Sequence, residues 1–167
     1  HPAIDYVFYV RGLVDFKRAE QSFEGRLGID SARRDPTPTQ RAFESFQALL
    51  NGYPQSAYAD DARARMAHLR ERMARHELQI ADFYVRSKTY VGALRRAEYV
   101  IEHFQNTRAG RDALQVMERA YRKLQMFDLA ADVRRTIQAN AVRDENPPLP
   151  SINKPLPPGL DTNITRS

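Results

Sequence analysis

Acid–base and metal chemistry need histidines, carboxylates or cysteines brought close together, and this sequence places them at spacings that do not converge. His68 and His76 are eight residues apart, which on a helix puts them about 80° apart around the axis and about 12 Å along it, too far to share one metal ion. His103 belongs to a separate stretch. No His-Glu-x-x-His and no Gly-x-Ser-x-Gly occurs, and Gly25-Arg26-Leu27-Gly28 does not make a phosphate-cradling loop. With no cysteine, there is no thiolate nucleophile, disulfide or sulfur metal site. The expectation is a protein that is not an enzyme and holds neither cofactor nor metal.

The abundant polar chemistry is that of arginine. Lys+Arg number 26 against 21 Asp+Glu, for a net charge of +5, and nearly all the cations are arginine. Arg63, Arg65, Arg70, Arg72 and Arg75 crowd one stretch, but Asp60, Asp61, Glu71 and Glu77 are interleaved with them. Phosphate neutralisation needs several cations on one face without such acids, so no nucleic-acid partner is expected. Asp61 to Arg65 and Glu71 to Arg75 are i,i+4 pairs in the favourable order, worth about 0.2–0.5 kcal/mol each, and read as the solvated faces of a helix. A planar guanidinium also forms bidentate pairs with carboxylates, which suits a protein interface.

The elements that position these groups are helices, written nearly twice. Ala42-Phe43-Glu44-Ser45-Phe46-Gln47-Ala48-Leu49-Leu50-Asn51-Gly52-Tyr53 overlays Ala93-Leu94-Arg95-Arg96-Ala97-Glu98-Tyr99-Val100-Ile101-Glu102-His103-Phe104 with its apolar sites in step, 51 positions later. The match continues through Ser56 on Thr107, Asp61-Ala62 on Asp112-Ala113 and Met66 on Met117. A helical repeat follows from such self-similarity.

In chain order, His1-Pro2 reads as the end of a loop, and a helix is expected over about residues 3–22, with Tyr6, Tyr9, Val10 and Leu13 on one face and Gly12 where a neighbouring helix approaches. An inserted, exposed loop follows at about 23–37, rich in glycine and charge. Thr37-Pro38-Thr39-Gln40 reads as a capping box for a helix burying Phe43, Phe46, Leu49 and Leu50, ended by Gly52-Tyr53-Pro54. Ser56 is the expected N-cap of a long helix reaching Arg86, with Asp60 and Asp61 near its positive end and a stripe of Ala62, Met66, Leu69, Met73, Ile80 and Tyr84. After a break at Ser87-Lys88-Thr89-Tyr90 come three more apolar series: Leu94, Ala97, Ile101 and Phe104; then, capped at Asn106-Thr107, Ala113, Met117, Ala120, Tyr121 and Leu124; then Met126, Ala130, Val133 and Ile137. Five or six helices in antiparallel pairs make the fold all-α, since no stretch carries strand alternation.

Residues 1–141 thus form the helical repeats and 142–167 a tail holding Pro147-Pro148-Leu149-Pro150 and Pro155-Leu156-Pro157-Pro158. With few apolar side chains the tail is expected to be extended or disordered, either an inert terminus or a short docking arm. Asn163-Ile164-Thr165 matches a three-residue glycosylation acceptor, a common chance match. No apolar run approaches the roughly 18 residues of a membrane span, and the start does not resemble a signal peptide.

The tetratricopeptide (TPR) unit is a helix pair of about 34 residues with recurring small and aromatic positions. Tyr90 and Tyr84 fall three and nine places before Ala93, and Phe127 and Tyr121 fall at the same offsets before Ala130. Together with Tyr6-Val7-Phe8-Tyr9-Val10-Arg11-Gly12-Leu13, Arg34-Asp35-Pro36, Tyr53-Pro54-Gln55-Ser56-Ala57-Tyr58, Arg111-Asp112-Ala113-Leu114 and Met117-Glu118-Arg119-Ala120-Tyr121-Arg122, these residues resemble the BamD (ComL-type) family of TPR lipoproteins of outer-membrane β-barrel assembly. The resemblance runs over roughly residues 1–141 and corresponds to the family's carboxyl-terminal half, repeats three to five. The lipidated cysteine and first two repeats of the family pattern do not appear in this sequence, and the Pro-rich tail goes beyond that pattern.

The resemblance implies a non-enzymatic scaffold at the periplasmic face of the outer membrane. Its repeats would hold the membrane-proximal POTRA domain of BamA, with the accessory lipoproteins BamC and BamE docking on it, and the membrane would be met only through the lipid anchor of the family's amino-terminal part. Arg96 matches the arginine that family members use in the POTRA contact. With Leu94 and Ala97 facing inward, Arg96 is expected to face outward and be free to pair with a partner's carboxylate; Arg95 and Glu98 are neighbouring candidates, and residues 26–35 a second surface. The alternative is a generic TPR adaptor that grips a peptide or carboxyl terminus, distinguishable by whether free peptides bind without a folded POTRA partner.

Overall fold

A computed structural model describes residues 4–23, 36–143, 149–150 and 152. Among these the chain forms α1 (Ile4–Phe23), α2 (Thr37–Gly52), α3 (Ala59–Arg86), α4 (Tyr90–His103), α5 (Arg108–Lys123) and α6 (Phe127–Arg143), with no strand. Neighbouring helices pack in pairs, α1 with α2, α4 with α5 and α5 with α6. This is the all-α, TPR-like repeat architecture anticipated from the small and aromatic spacing. The inserted loop falls almost wholly on residues 24–35, outside the described residues, as do 144–148, 151 and 153–167 of the tail.

The chain divides into two compact units, His1–Leu69 with Leu149–Ser167, and Arg70–Pro148. In the first, α1 contributes Tyr9, Leu13, Phe16 and Ala19, α2 contributes Ala42, Phe46 and Leu49, and α3 contributes Ala62 and Leu69 to one core. The i, i+3, i+4 spacing on each helix turns these residues to one side. Phe43 and Leu50, expected inside, are only partly buried at its margin. Gly12 explains how α1 and α2 come together: a Cβ there would stand 2.5 Å from the Phe46 ring. The expected close approach at Gly12 is therefore real, and Phe46 is what approaches.

In the second unit Ala74, Leu78 and Ala81 of α3 meet Ala97 and Val100 of α4, Phe104, and Ala109, Ala113 and Val116 of α5. A second cluster joins Ala93, Leu94 and Ala120 to the partly buried Tyr84, Tyr90, Tyr121 and Leu124. The expected stripe on α3 therefore needs correction beyond Leu69. Alanines and Leu78 are buried there, while Met73 and Tyr84 sit at the margins and Ile80 is half-buried. Small side chains allow helices to approach closely, so burial there selects alanine over bulk.

Two of the expected caps also differ. The capping box at 37–40 does not form: Pro36 takes the N-cap position with no side-chain bond, and the Gln40 side chain donates to Glu44 instead. Pro38 has no N–H, so one of the unpaired donors of that helix start is absent by chemistry. Ser56 precedes the first residue of α3 by three positions; its hydroxyl accepts from the Tyr58 N–H at 3.2 Å and donates to Asp5 Oδ2 at 2.8 Å. Thr107 does cap as expected, its side chain accepting from the Gly110 N–H at 2.9 Å.

Candidate protein-interaction face on the fourth helix

α4 is set by the turns at its two ends. At its start Lys88 adopts φ 61°, and the Thr89 N–H reaches back to the Tyr84 carbonyl at 2.9 Å, closing α3 with a left-handed cap. At its end the Phe104 N–H bonds the Val100 carbonyl, as the Tyr53 N–H bonds that of Leu49 at the corresponding place in α2. Ala93, Leu94, Ala97 and Val100 are buried. At about 100° per residue, the helix must then turn Val91, Arg95, Glu98, Tyr99 and Glu102 outward together, within an arc of about 100°. All five are exposed, Val91 at 55% and Tyr99 at 41%.

Tyr99 is held in place rather than loose. Its ring stacks on His103 at 4.1 Å between centroids, and the His103 ring nitrogen lies 3.0 Å from the Tyr99 carbonyl. Arg70 of α3 donates to the His103 carbonyl at 3.1 Å. An exposed aromatic ring with a fixed pose loses little conformational entropy when a partner covers it.

Arg95 and Glu98 lie on this face with no ion pair among the described residues. Arg96 sits at its edge. Its outward position is as expected, but it is not free: Nη1 donates to Glu77 Oε2 of α3 at 2.8 Å, with the two side chains 39% and 21% exposed. A guanidinium carries five N–H donors, so a partner carboxylate would extend this pair rather than create one. Sequence reasoning missed Val91 and Tyr99. Their spacing of eight residues opposite Ala93 and Ala97 was the available signal.

Several other arginines of this unit also pair with the protein's own acids. Arg75 bridges Glu71 and Asp112 at 2.9 and 3.0 Å, Arg119 pairs with Asp82, and Arg134 with Glu118 at 2.5 Å. The i,i+4 pairs of α3 are not alike. Asp61 and Arg65, expected on a solvated face, are 3% and 4% exposed. Asp61 Oδ2 accepts from Arg65 Nε at 2.5 Å and from the Tyr9 hydroxyl at 2.7 Å, and the Arg65 guanidinium lies 5.2 Å from the Phe16 ring centroid. Burial, then the bond to Asp61, raises the Tyr9 hydroxyl well above the ordinary phenol range. His68 lies 2.9 Å from the Pro150 carbonyl, and among the described residues no group of three or more potential metal ligands gathers. The second surface considered, residues 26–35, lies outside the described residues.

Helices packed in neighbouring pairs, with small side chains buried where they meet, define a TPR-like helical-repeat protein. The chain belongs to the YfiO/BamD family: the family profile described as outer membrane lipoprotein matches residues 1–136. The outer membrane protein assembly factor BamD of Neisseria gonorrhoeae is 40% identical over 141 residues, covering 84% of this chain and 52% of its own length. That of Pasteurella multocida is 36% identical over 155 residues, 93% of this chain and 58% of its own length. That of Vibrio cholerae is 34% identical over 140 residues, 84% and 58%. The chain spans about half the length of the relatives it matches. No described helix is long and apolar enough to cross a membrane.

Proposed function

We propose that this chain is a non-catalytic scaffold of outer-membrane β-barrel assembly, working at the periplasmic face of the outer membrane and holding the membrane-proximal POTRA domain of BamA on α4. Membership of a family whose relatives are named assembly factors supports the general role. The observation that carries the specific reading is the outward arc of Val91, Arg95, Glu98, Tyr99 and Glu102, bordered by Arg96. Val91 and Tyr99 supply apolar area, Arg95 and Glu98 present charges of both signs, and Arg96 offers its remaining N–H groups to a carboxylate. BamC and BamE would dock on other parts of the repeats.

Calorimetric titration of the chain with the isolated POTRA domain tests the reading. Arg96→Glu is expected to weaken binding more than tenfold, about 1.4 kcal/mol, with helical content unchanged. Glu77→Gln, which releases Arg96 from its intramolecular pair, is expected to keep binding. Failure of the wild-type chain to bind would refute this assignment. Binding by free peptides in place of the folded domain would favour the adaptor reading.

A further inference from the structure

We propose that the first half of α3 carries a docking site for an extended, proline-containing segment, and that the chain's own Leu149 and Pro150 occupy it. The anchor is His68, whose Nε2 lies 2.9 Å from the carbonyl oxygen of Pro150, 82 positions later in sequence. A carbonyl only accepts, so Nε2 carries the hydrogen in this contact. Leu149 beside it is partly buried. Leu149 and Pro150 also group with the first unit, although the preceding helix α6 belongs to the second. These observations do not depend on the POTRA reading.

The chemistry of the segment matches this mode of capture. Pro147-Pro148-Leu149-Pro150 favours the polyproline II conformation, which has no internal hydrogen bonds and leaves its carbonyls as unsatisfied acceptors. Proline has no N–H, so a receptor must supply donors, and an imidazole N–H on a helix surface does so. The rigid φ of proline also lowers the conformational entropy lost on docking, which is why such segments are recognised as extended ligands. On α3, the position one turn before His68 is Ala64, whose methyl leaves room for a backbone to come close. One hydrogen bond makes a weak contact in trans. Tethering supplies an effective concentration on the order of a millimolar, so a contact with a dissociation constant near that value is occupied about half the time. A partner bringing a similar extended segment must displace the tail first.

Because the chain has no cysteine, Asn153→Cys gives a unique attachment point for a nitroxide label on the full-length chain. Paramagnetic broadening of the backbone amides of residues 64–69 is expected in this background, as is relief of that broadening by millimolar peptide carrying residues 146–152. His68→Ala should reduce the relaxation enhancement at least threefold with unchanged far-ultraviolet circular dichroism. Pro150→Gly, which leaves every helix untouched, should reduce it likewise. Absence of broadening in the parent background, or broadening in either variant equal to that of the parent background, would overturn the proposal.

Discussion

Asp61 gathers a phenol, a guanidinium and two aromatic rings around one carboxylate in the first unit. Tyr9 donates to it, Arg65 pairs with it, Tyr58 stacks on Tyr9 at 4.6 Å, and Phe16 lies beside the guanidinium. A buried pair is most costly when half of it is removed, because the other charge is left without compensation. Asp61→Ala is therefore expected to lose about 3–5 kcal/mol in denaturant titration, whereas Asp61→Leu with Arg65→Met together loses much less. Tyr9 adds a pH dependence. Its neutral form is favoured in the folded state, so that stability is fully present below about pH 10, the unfolded value, and is lost as pH rises beyond it toward the higher folded value. Thermal melts across pH 9–11 should fall more steeply for wild type than for Tyr9→Phe. Glu71 shows the same i,i+4 partnership put to another use: besides Arg75 it accepts from the Arg108 and Ala109 N–H groups at 2.7 and 3.3 Å, holding the N-terminus of α5. None of this distinguishes the two pairs in sequence, where each is an acid four residues before an arginine.

At the scale of the element, the same turn closes α3 and α5. Lys88 and Gln125 both have φ 61°, and the Thr89 and Met126 N–H groups reach back to Tyr84 and Tyr121 at 2.9 Å each. The two turns are 37 positions apart, as are Ala93 and Ala130, so the repeat is written in the backbone as well as in the side chains. Both left-handed residues carry a Cβ, which glycine would relieve. Lys88→Gly and Gln125→Gly are each expected to stabilise by about 0.5–1 kcal/mol, read as a raised denaturation midpoint at constant slope. Thr107→Ala removes the one bond to the Gly110 N–H and should cost about 1 kcal/mol. The repeat also exposes a difference between its copies. Tyr90 packs against the Ala93, Leu94 and Ala120 cluster, while its counterpart Phe127 is 65% exposed. Phe127→Ser should leave stability within about 0.5 kcal/mol of wild type, where Phe46→Ala loses about 3–5.

For the whole molecule, the repeats cover one side of an amphipathic helix and leave the other side exposed. α4 buries Ala93, Ala97 and Val100 completely, so its outward arc is decided by what the neighbouring helices cover. If that arc binds a folded partner, Tyr99→Ala should weaken the POTRA titration at least as much as Arg95→Ala. A fixed, half-exposed ring loses more on truncation than a rim charge does. A reversed order, with Arg95 dominant and steep salt dependence, would mark an electrostatic contact without an aromatic anchor.

The sequence by itself determined the helices, their pairing and the family. Periodic apolar residues, Gly12, and the Thr107 cap are local signals, and local signals survive without a tertiary frame. Only the tertiary structure decided which polar groups serve the interior. Asp61 and Arg65 are buried because Tyr9 and Phe16 of α1 come across to cover them, a contact between residues more than 40 positions apart. Arg96 meets Glu77 because α3 passes beside α4. Burial and ion pairing over such separations depend on how helices pack, and helical spacing within one segment carries no record of that.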